Sequence, residues 1–415
     1  MRFEEIGKRS DVAPLDLGGR VIELDGIRGI AVGMVVIWHY FIVQMQMHAP
    51  VRSAGAYVLA AGRLSWSGVD LFFVLSGFLI GGILLDARTA SNFFLVFYTR
   101  RFFRIVPIYA LLLAMSFLIS TLVKLGIAPR LGILVGGALP WLPYILFLQN
   151  VWVAHASIWG SVLLGVTWSL AIEEQFYLTL PLIIRFATSR GLIMLLGAGV
   201  LLAPVLRLTV HMLWPNHWLA SYTLMPCRAD ALLMGVLAAM FMRDLRCREW
   251  LDGHRTSLRC LLLVLVLGVA VLTKYAAYFM SPGPRGTLVD TVGYTWLAAF
   301  YVSVLLYVLT FRGSTLSHCL RWGWLRWLGS IAYGVYLFHY TILYMVYELI
   351  RSRVLTIHSF SDICVSILAI AVTLVVCWTS WILFEKPLVK MGHGSRRYQF
   401  RNDSMPDVAP MPIST

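Results

Sequence analysis

Long apolar runs, separated by short polar segments, dominate the chain. Each run has about 20 residues, which is the length of helix needed to cross the hydrocarbon of a bilayer. The pattern predicts an all-α, polytopic membrane protein with about ten transmembrane helices. The expected spans are 27–47, 66–85, 105–125, 167–186, 191–211, 224–242, 259–280, 291–311, 327–349 and 362–384.

The segment 131–160 does not fit a span. Pro140 and Pro143 divide its apolar pieces, and Gln149 and Asn150 interrupt them. We expect a re-entrant or interfacial segment here, because irregular backbone at membrane depth is tolerated only where it lines a protein cavity.

The distribution of Lys and Arg predicts the orientation. With both termini in the cytoplasm, the inner loops and the termini hold 24 of these residues, and the outer loops hold six. This is the bias of the positive-inside rule. We therefore expect a cytoplasmic N-terminal arm over 1–23, a membrane domain over 24–387 and a disordered cytoplasmic tail over 388–415.

Composition supports the membrane class and excludes others. Charged residues make up 13% of the chain, whereas a soluble domain has about 25%. The net charge of +14 is scattered between apolar spans, so we expect the lipid bilayer as a partner and no nucleic acid. The six cysteines show no CxxC spacing, and neither a disulfide framework nor a metal site is expected.

The stretch from Leu24 to Phe41, LDGIRGIAVGMVVIWHYF, contains the first candidate site. At about 100° per residue, Arg28 and His39 lie on one helix face, roughly 16 Å apart along the axis. An ionisable residue at the depth of His39 is costly and is by default a functional candidate. A structural histidine hydrogen-bonded between helices is the alternative.

Further polar residues interrupt later spans. Asp70 lies inside the second span and needs a partner there. Glu173 and Glu174 are adjacent inside the fourth, and Tyr177 shares a helix face with Glu173. Two neighbouring glutamates exceed any ordinary packing need, which favours a function. His339, taken alone, is interpreted as a satisfied core histidine.

Arginines form a second set of candidates. Arg100, Arg101 and Arg104 precede the third span. They could anchor the helix at anionic lipid headgroups, or bind a phosphorylated cytosolic ligand through bidentate contacts. Arg228 and Asp230 either satisfy each other or pair with a neighbouring helix.

Seven motifs in order make the chain resemble the acyltransferase family 3 proteins, which are integral membrane enzymes that O-acylate glycans and related molecules. They are LDGIRGIAVGMVVIWH, GVDLFFVLSGFLI, FYTRRFFRIVPIY, TWSLAIEEQFYL, RADALLMG, LGSIAYGVYLFHY and FEKP, from Leu24 to Pro387. The resemblance implies a bacterial cytoplasmic (inner) membrane enzyme. Its expected donor is cytosolic acyl-CoA, usually acetyl-CoA, and its expected acceptor is a hydroxyl group. No permanently bound cofactor is expected.

The resemblance also implies residue roles. The family's catalytic histidine falls on His39 and its span glutamate on Glu173. Its donor-binding arginines fall on Arg28, Arg100, Arg101 and Arg104. On this basis we expect His39 to act as general base or to carry the acyl group.

Glu173 is expected to orient the imidazole of His39 or to stabilise its charged form. The residues expected to support the reaction or to lie on the acceptor side are Asp70, Tyr177, Arg228 and His339.

The acceptor stays open among cell-surface polysaccharide, O-antigen, a lipid-linked sugar and an exported metabolite. A transporter or flippase of a lipid-linked or anionic substrate is the alternative function, since such proteins also place charges within helices.

Overall fold

The fold consists of helices throughout the part of the chain that the computed structural model describes, which is residues 21–45, 59, 62–136, 140–280, 283–351, 355–394 and 396–400. Ten long helices are present in these residues, and they confirm an all-α, polytopic membrane protein. We number them α1 to α10: Ile22–Met45, Ser65–Asp86, Phe93–Lys124, Trp168–Phe186, Ser189–Leu213, Met225–Phe241, Arg255–Tyr275, Pro284–Thr310, Ala332–Arg351 and Phe360–Gly394.

Eight of the ten helices are long and apolar enough to cross a membrane, α6 together with the preceding short helix Ala220–Thr223. The other two, α4 and α9, have 19 and 20 residues. Both are less apolar because they carry Glu173, Glu174 and His339, which are candidate site residues.

Two helices are longer than expected. Helix α3 begins at Phe93 and has 32 residues, about 48 Å at 1.5 Å per residue. Its arginines therefore lie inside the helix, and its first turns extend beyond a hydrocarbon layer of about 30 Å. Helix α10 continues to Gly394, and residues 396–400 contact Ser91 and Asn92. These parts of the tail are ordered, contrary to the expectation of disorder from residue 388.

The rest of the two expected terminal segments lies largely outside the residues that the structure describes. Of the N-terminal arm, Ile22 and Glu23 belong to α1, so that the helix begins slightly earlier than the predicted boundary. Residues 1–20 and 401–415 are not among those described.

The segment 131–160 contains only short helices in its described residues: Gly132–Val135, Trp141–Ile145 and Gln149–Ala156. Gln149 and Asn150, which made a span implausible, are buried. The Gln149 amide donates to the carbonyl of Thr167 at 2.9 Å, and the Asn150 amide donates to the carbonyl of Thr223 at 3.1 Å. These bonds give the two amide NH2 groups partners inside the protein.

Contacts between helix ends agree with ten spans whose ends alternate between the two sides of the membrane. Two connections join ends that were expected in the cytoplasm: Arg321 donates to Glu23 at 2.8 Å, and Arg243 donates to Asp86 at 2.7 Å. At the other end, Asp290 is hydrogen-bonded to three different segments. The expected inner ends thus meet each other, as do the outer ends.

Helices α2 and α6 cross in direct backbone contact. A Cβ atom on Gly77 would lie 3.1 Å from the Cα of Gly235, and one on Gly235 would lie 3.0 Å from the Cα of Gly77. Small residues at such crossings let helices approach closely in a membrane. The crossing fixes Asp70 of α2 relative to Arg228 of α6.

We expect Gly77→Ala to destabilise the protein by about 1–3 kcal/mol, because the added methyl group forces the two backbones apart. The matched control is Gly197→Ala in α5, where a Cβ meets nothing within 4 Å. Thermal melting in detergent should show a lower Tm for Gly77→Ala and no loss for Gly197→Ala. Equal melting of the two variants would contradict this packing.

Candidate active site

A pair of histidines from distant parts of the sequence meets in the bundle. His39 lies in the π-helical turn Trp38–Ile42 of α1, and His339 lies in α9. The His39 Nδ1 atom is 3.1 Å from the His339 Nε2 atom. His339 is completely buried, whereas His39 is half-buried. π-Helical turns within α-helices are frequent at functional sites.

The hydrogen bonds of His339 determine its tautomer. Its Nδ1 lies 3.0 Å from the carbonyl oxygen of Val335 and 2.8 Å from that of Tyr336. Carbonyl oxygens only accept, so Nδ1 carries the proton, and Nε2 of the neutral ring is an acceptor.

The tautomer of His39 follows from that of its neighbour. Its Nδ1 must donate, because both groups near it, Nε2 of His339 and the carbonyl of Val35 at 3.0 Å, are acceptors. Nε2 of His39 then holds a free lone pair. Within the described residues it has no hydrogen-bond partner. This nitrogen can accept a proton from a substrate.

The backbone around the pair is also fixed. The Tyr40 hydroxyl donates to the carbonyl of His339 at 2.7 Å and is 2.7 Å from the hydroxyl of Thr373. The Gln44 amide donates to the carbonyl of His39 at 3.0 Å. These bonds join α1, α9 and α10, so the two rings are held by three helices.

Glu173 and three of the predicted donor-binding arginines form a second group. The Tyr177 hydroxyl donates to Glu173 at 3.1 Å, and the Arg101 guanidinium lies 5.8 Å from the centre of the Tyr177 ring. The charges of Arg28, Arg101 and Arg104 all act on Glu173. The structure therefore brings together residues that the sequence separates by up to 149 positions.

The hydrogen bonds differ from the expectation that Glu173 orients His39. Glu173 accepts from Tyr177, while the Nδ1 of His39 faces His339. Tyr177 is also hydrogen-bonded to Ser76, so that hydroxyl is engaged. The sequence concealed this arrangement because the partner of His39 lies 300 residues away.

Asp70 and Arg228 form a buried ion pair. The alternative that Arg228 and Asp230 satisfy each other is wrong, since Asp230 pairs with Arg207 at 3.0 Å. The Arg228 guanidinium also lies 4.0 Å from the centre of the Tyr294 ring. The pairing fixes α2 against α6, and no hydrogen bond joins Asp70 or Arg228 to the histidine pair in the described residues.

Arg207 is a residue that sequence reasoning missed. It is completely buried and donates to Asp230 and to the carbonyl of Cys227. A lone arginine in the apolar run of α5 was the available signal, because such a charge needs a partner within the bundle.

The fold and the site define an integral membrane protein with arginines at one end of its bundle and a buried histidine pair beyond them. The chain belongs to the acyltransferase domain family, which matches residues 21–382.

The chain is similar to three named bacterial proteins. It is 25% identical to O-acetyltransferase OatA of Staphylococcus aureus over 89% of this chain and 57% of that protein. Peptidoglycan O-acetyltransferase OatA of Listeria monocytogenes is 26% identical, over 90% and 56%. Putative peptidoglycan O-acetyltransferase YrhL of Bacillus subtilis is 27% identical, over 77% and 48%. The chain thus spans about half the length of these relatives. No solved structure matches it.

We expect Arg228→Leu to destabilise the fold by about 3–5 kcal/mol, because it leaves the Asp70 carboxylate buried without its partner. The double variant Asp70→Leu/Arg228→Leu should recover most of that loss, since apolar side chains replace both charges. Thermal melting in detergent measures both. Arg243→Leu is the control, because Arg243 pairs with an exposed carboxylate and should cost less than about 1 kcal/mol. Additive losses in the double variant would show that the two charges do not stabilise each other.

Proposed function

We propose that the protein is a membrane O-acetyltransferase that moves an acetyl group from cytosolic acetyl-CoA to a hydroxyl group of a cell-envelope glycan. The observation that carries the proposal is the free Nε2 of His39, oriented by the hydrogen bond from Nδ1 to His339. Membership of the acyltransferase domain family and the names of the relatives support it.

In this reaction, His39 takes the proton of the acceptor hydroxyl at Nε2 while the hydroxyl oxygen attacks the thioester carbonyl carbon. A C–O ester bond forms, the C–S bond breaks, and the proton passes from His39 to the departing thiolate. Throughout the reaction, Nε2 of His339 accepts the hydrogen bond from Nδ1–H of His39. This bond keeps Nε2 of His39 directed at the substrate. Transfer through an acyl-histidine would use the same nitrogen as nucleophile.

The arginines supply the donor side of the site. Acyl-CoA carries several phosphate groups, which guanidinium groups bind strongly through paired hydrogen bonds. Arg100, Arg101 and Arg104 occupy the first part of α3, and Arg28 lies about 16 Å from His39 along α1. A nucleotide held by these residues leaves its acyl arm free to reach towards the histidine pair between helices.

The relatives favour a glycan acceptor. Two of them are named as peptidoglycan O-acetyltransferases, one of these putatively. We therefore place peptidoglycan first among the acceptors to be assayed, followed by other envelope polysaccharides and lipid-linked sugars.

We expect His39→Ala to lower acetyl transfer by about 10²–10⁴-fold, the usual contribution of a general base. The measurement is the transfer of labelled acetyl groups from acetyl-CoA to glycan acceptors by the purified protein in nanodiscs. The control is His318→Ala, since His318 is exposed and bonded only to its own helix. Substantial transfer by a folded His39→Ala protein would exclude His39 as the base.

The role of His339 predicts a difference between two replacements. His339→Gln keeps an acceptor oxygen for the Nδ1–H of His39 and should lose less than about tenfold in kcat. His339→Leu removes the acceptor on α9, leaving only the Val35 carbonyl of α1, and should lose about 100-fold. Equal losses in the two variants would mean that His339 acts through its shape rather than through its hydrogen bond.

A further inference from the structure

A short segment after α10 lies along the beginning of α3. We call residues 396–400 the C-terminal strap. The Asn92 side chain accepts from the backbone N–H of Gln399 at 3.0 Å and donates to the carbonyl of Arg397 at 2.8 Å. The backbone N–H of Ser91 donates to the carbonyl of Gln399 at 2.9 Å. These three bonds fix the strap on the residues that precede α3.

The strap lies against Arg100, the first arginine of the predicted donor site along α3. Arg100 donates to the carbonyl of Arg396 at 3.2 Å, and its guanidinium lies 5.1 Å from the centre of the Tyr398 ring. Arg396 and Arg397 themselves are exposed. The strap therefore adds two cations to a region that already contains Arg100 and Arg101.

The cations outnumber the carboxylates in this cluster, although the charges of Glu173 and Glu174 act on Arg101. None of its four arginines forms an ion pair with a carboxylate in the described part of the chain. A group of cations on one surface favours the binding of a polyanion. An inhibitory segment would be expected to bring carboxylates to a cationic site, whereas the strap brings arginines.

Three hydrogen-bond donors in the cluster are buried without a partner in the described residues: Nε of Arg100, Nε of Arg101 and the hydroxyl group of Tyr398. Burial raises the pKa of Tyr398, against the opposing effect of Arg100 and Arg101, so its hydroxyl keeps its proton at neutral pH. Buried donors of this kind are costly unless an acceptor is supplied. Phosphate oxygens are such acceptors.

We infer that the C-terminal strap, with Arg100 and Arg101, completes a phosphate-binding site that takes the 3′,5′-phosphorylated adenosine of the acyl donor. The inference rests on the proposed acetyl-CoA reaction and adds residues outside 21–382, the part that the family matches. The donor nucleotide is favoured over a lipid headgroup because the cluster continues inwards, from Arg101 to the Tyr177 ring and Glu173.

The first test separates donor binding from chemistry. In the full chain, Arg396→Ala/Arg397→Ala should raise the KM for acetyl-CoA about tenfold and leave kcat within about twofold. The matched control is Lys386→Ala/Lys390→Ala, which removes two exposed cations of α10 that have no described contact with Arg100. An unchanged KM in the strap variant, or an equal rise in the control, would overturn the inference.

The second test needs no turnover. Isothermal titration of adenosine 3′,5′-bisphosphate into the purified full chain should show binding that weakens about tenfold in the strap variant. If the wild-type protein transfers acetyl groups but both proteins bind the nucleotide equally, the strap inference fails and the proposed function stands. If the wild type neither binds the nucleotide nor transfers acetyl groups, both fail.

The same titration in two kinds of nanodisc distinguishes the sources of phosphate. Discs of neutral lipid and discs containing anionic lipid should give the same loss of nucleotide affinity in the strap variant. If the strap variant changes only the binding of anionic lipid and leaves nucleotide affinity intact, the cluster holds headgroups, and the inference is overturned.

Discussion

Every polar group at membrane depth must find its partner within the protein, because hydrocarbon offers neither donors nor acceptors. This constraint explains most of the long-range contacts in the bundle. Asp70 pairs with Arg228, Asp230 pairs with Arg207, and the amides of Gln149 and Asn150 reach backbone carbonyls. Each of these contacts fixes the position of one segment against another. The helices are apolar enough to enter a bilayer, and their few polar residues specify how they assemble.

His39 is an exception, and the proposed reaction depends on it. Its Nδ1 has acceptors within the protein, but Nε2 is left with a free lone pair among the described residues. The free lone pair depends on the surroundings of the ring, since rotation of the ring, or a proton on Nε2 instead of Nδ1, would remove it. His339, whose own Nδ1 is committed to backbone carbonyls, prevents both changes. The atom proposed to react is thus defined by a chain of hydrogen bonds that begins in the backbone of α9.

The sequence predicted the fold class and the approximate spans, because length and hydropathy decide whether a segment enters a bilayer. It also indicated which residues are exceptional, since a charge such as Asp70 or Glu173 in an apolar run is conspicuous. It could not indicate partners. Arg228 was weighed against its sequence neighbour Asp230, and Glu173 was assigned to His39, whereas the structure pairs them with Asp70 and Tyr177. Helix packing decides such pairings, and hydropathy carries little information about packing. The order of the tail beyond residue 388 was missed for the same reason, because the contacts that hold it lie about 300 positions away.

The separation of 300 residues between His39 and His339 also has a consequence for biogenesis. At 5–20 residues per second, a ribosome needs roughly 15–60 s to synthesise the chain between them. During that time α1 is already available for insertion, but His39 has no imidazole partner, and its Nδ1 has only the Val35 carbonyl of its own helix as an acceptor. The ring orientation that His339 imposes is therefore absent until α9 arrives. Assembly of the histidine pair is a late event of synthesis, and on the proposed mechanism reactivity begins only when the bundle is nearly complete.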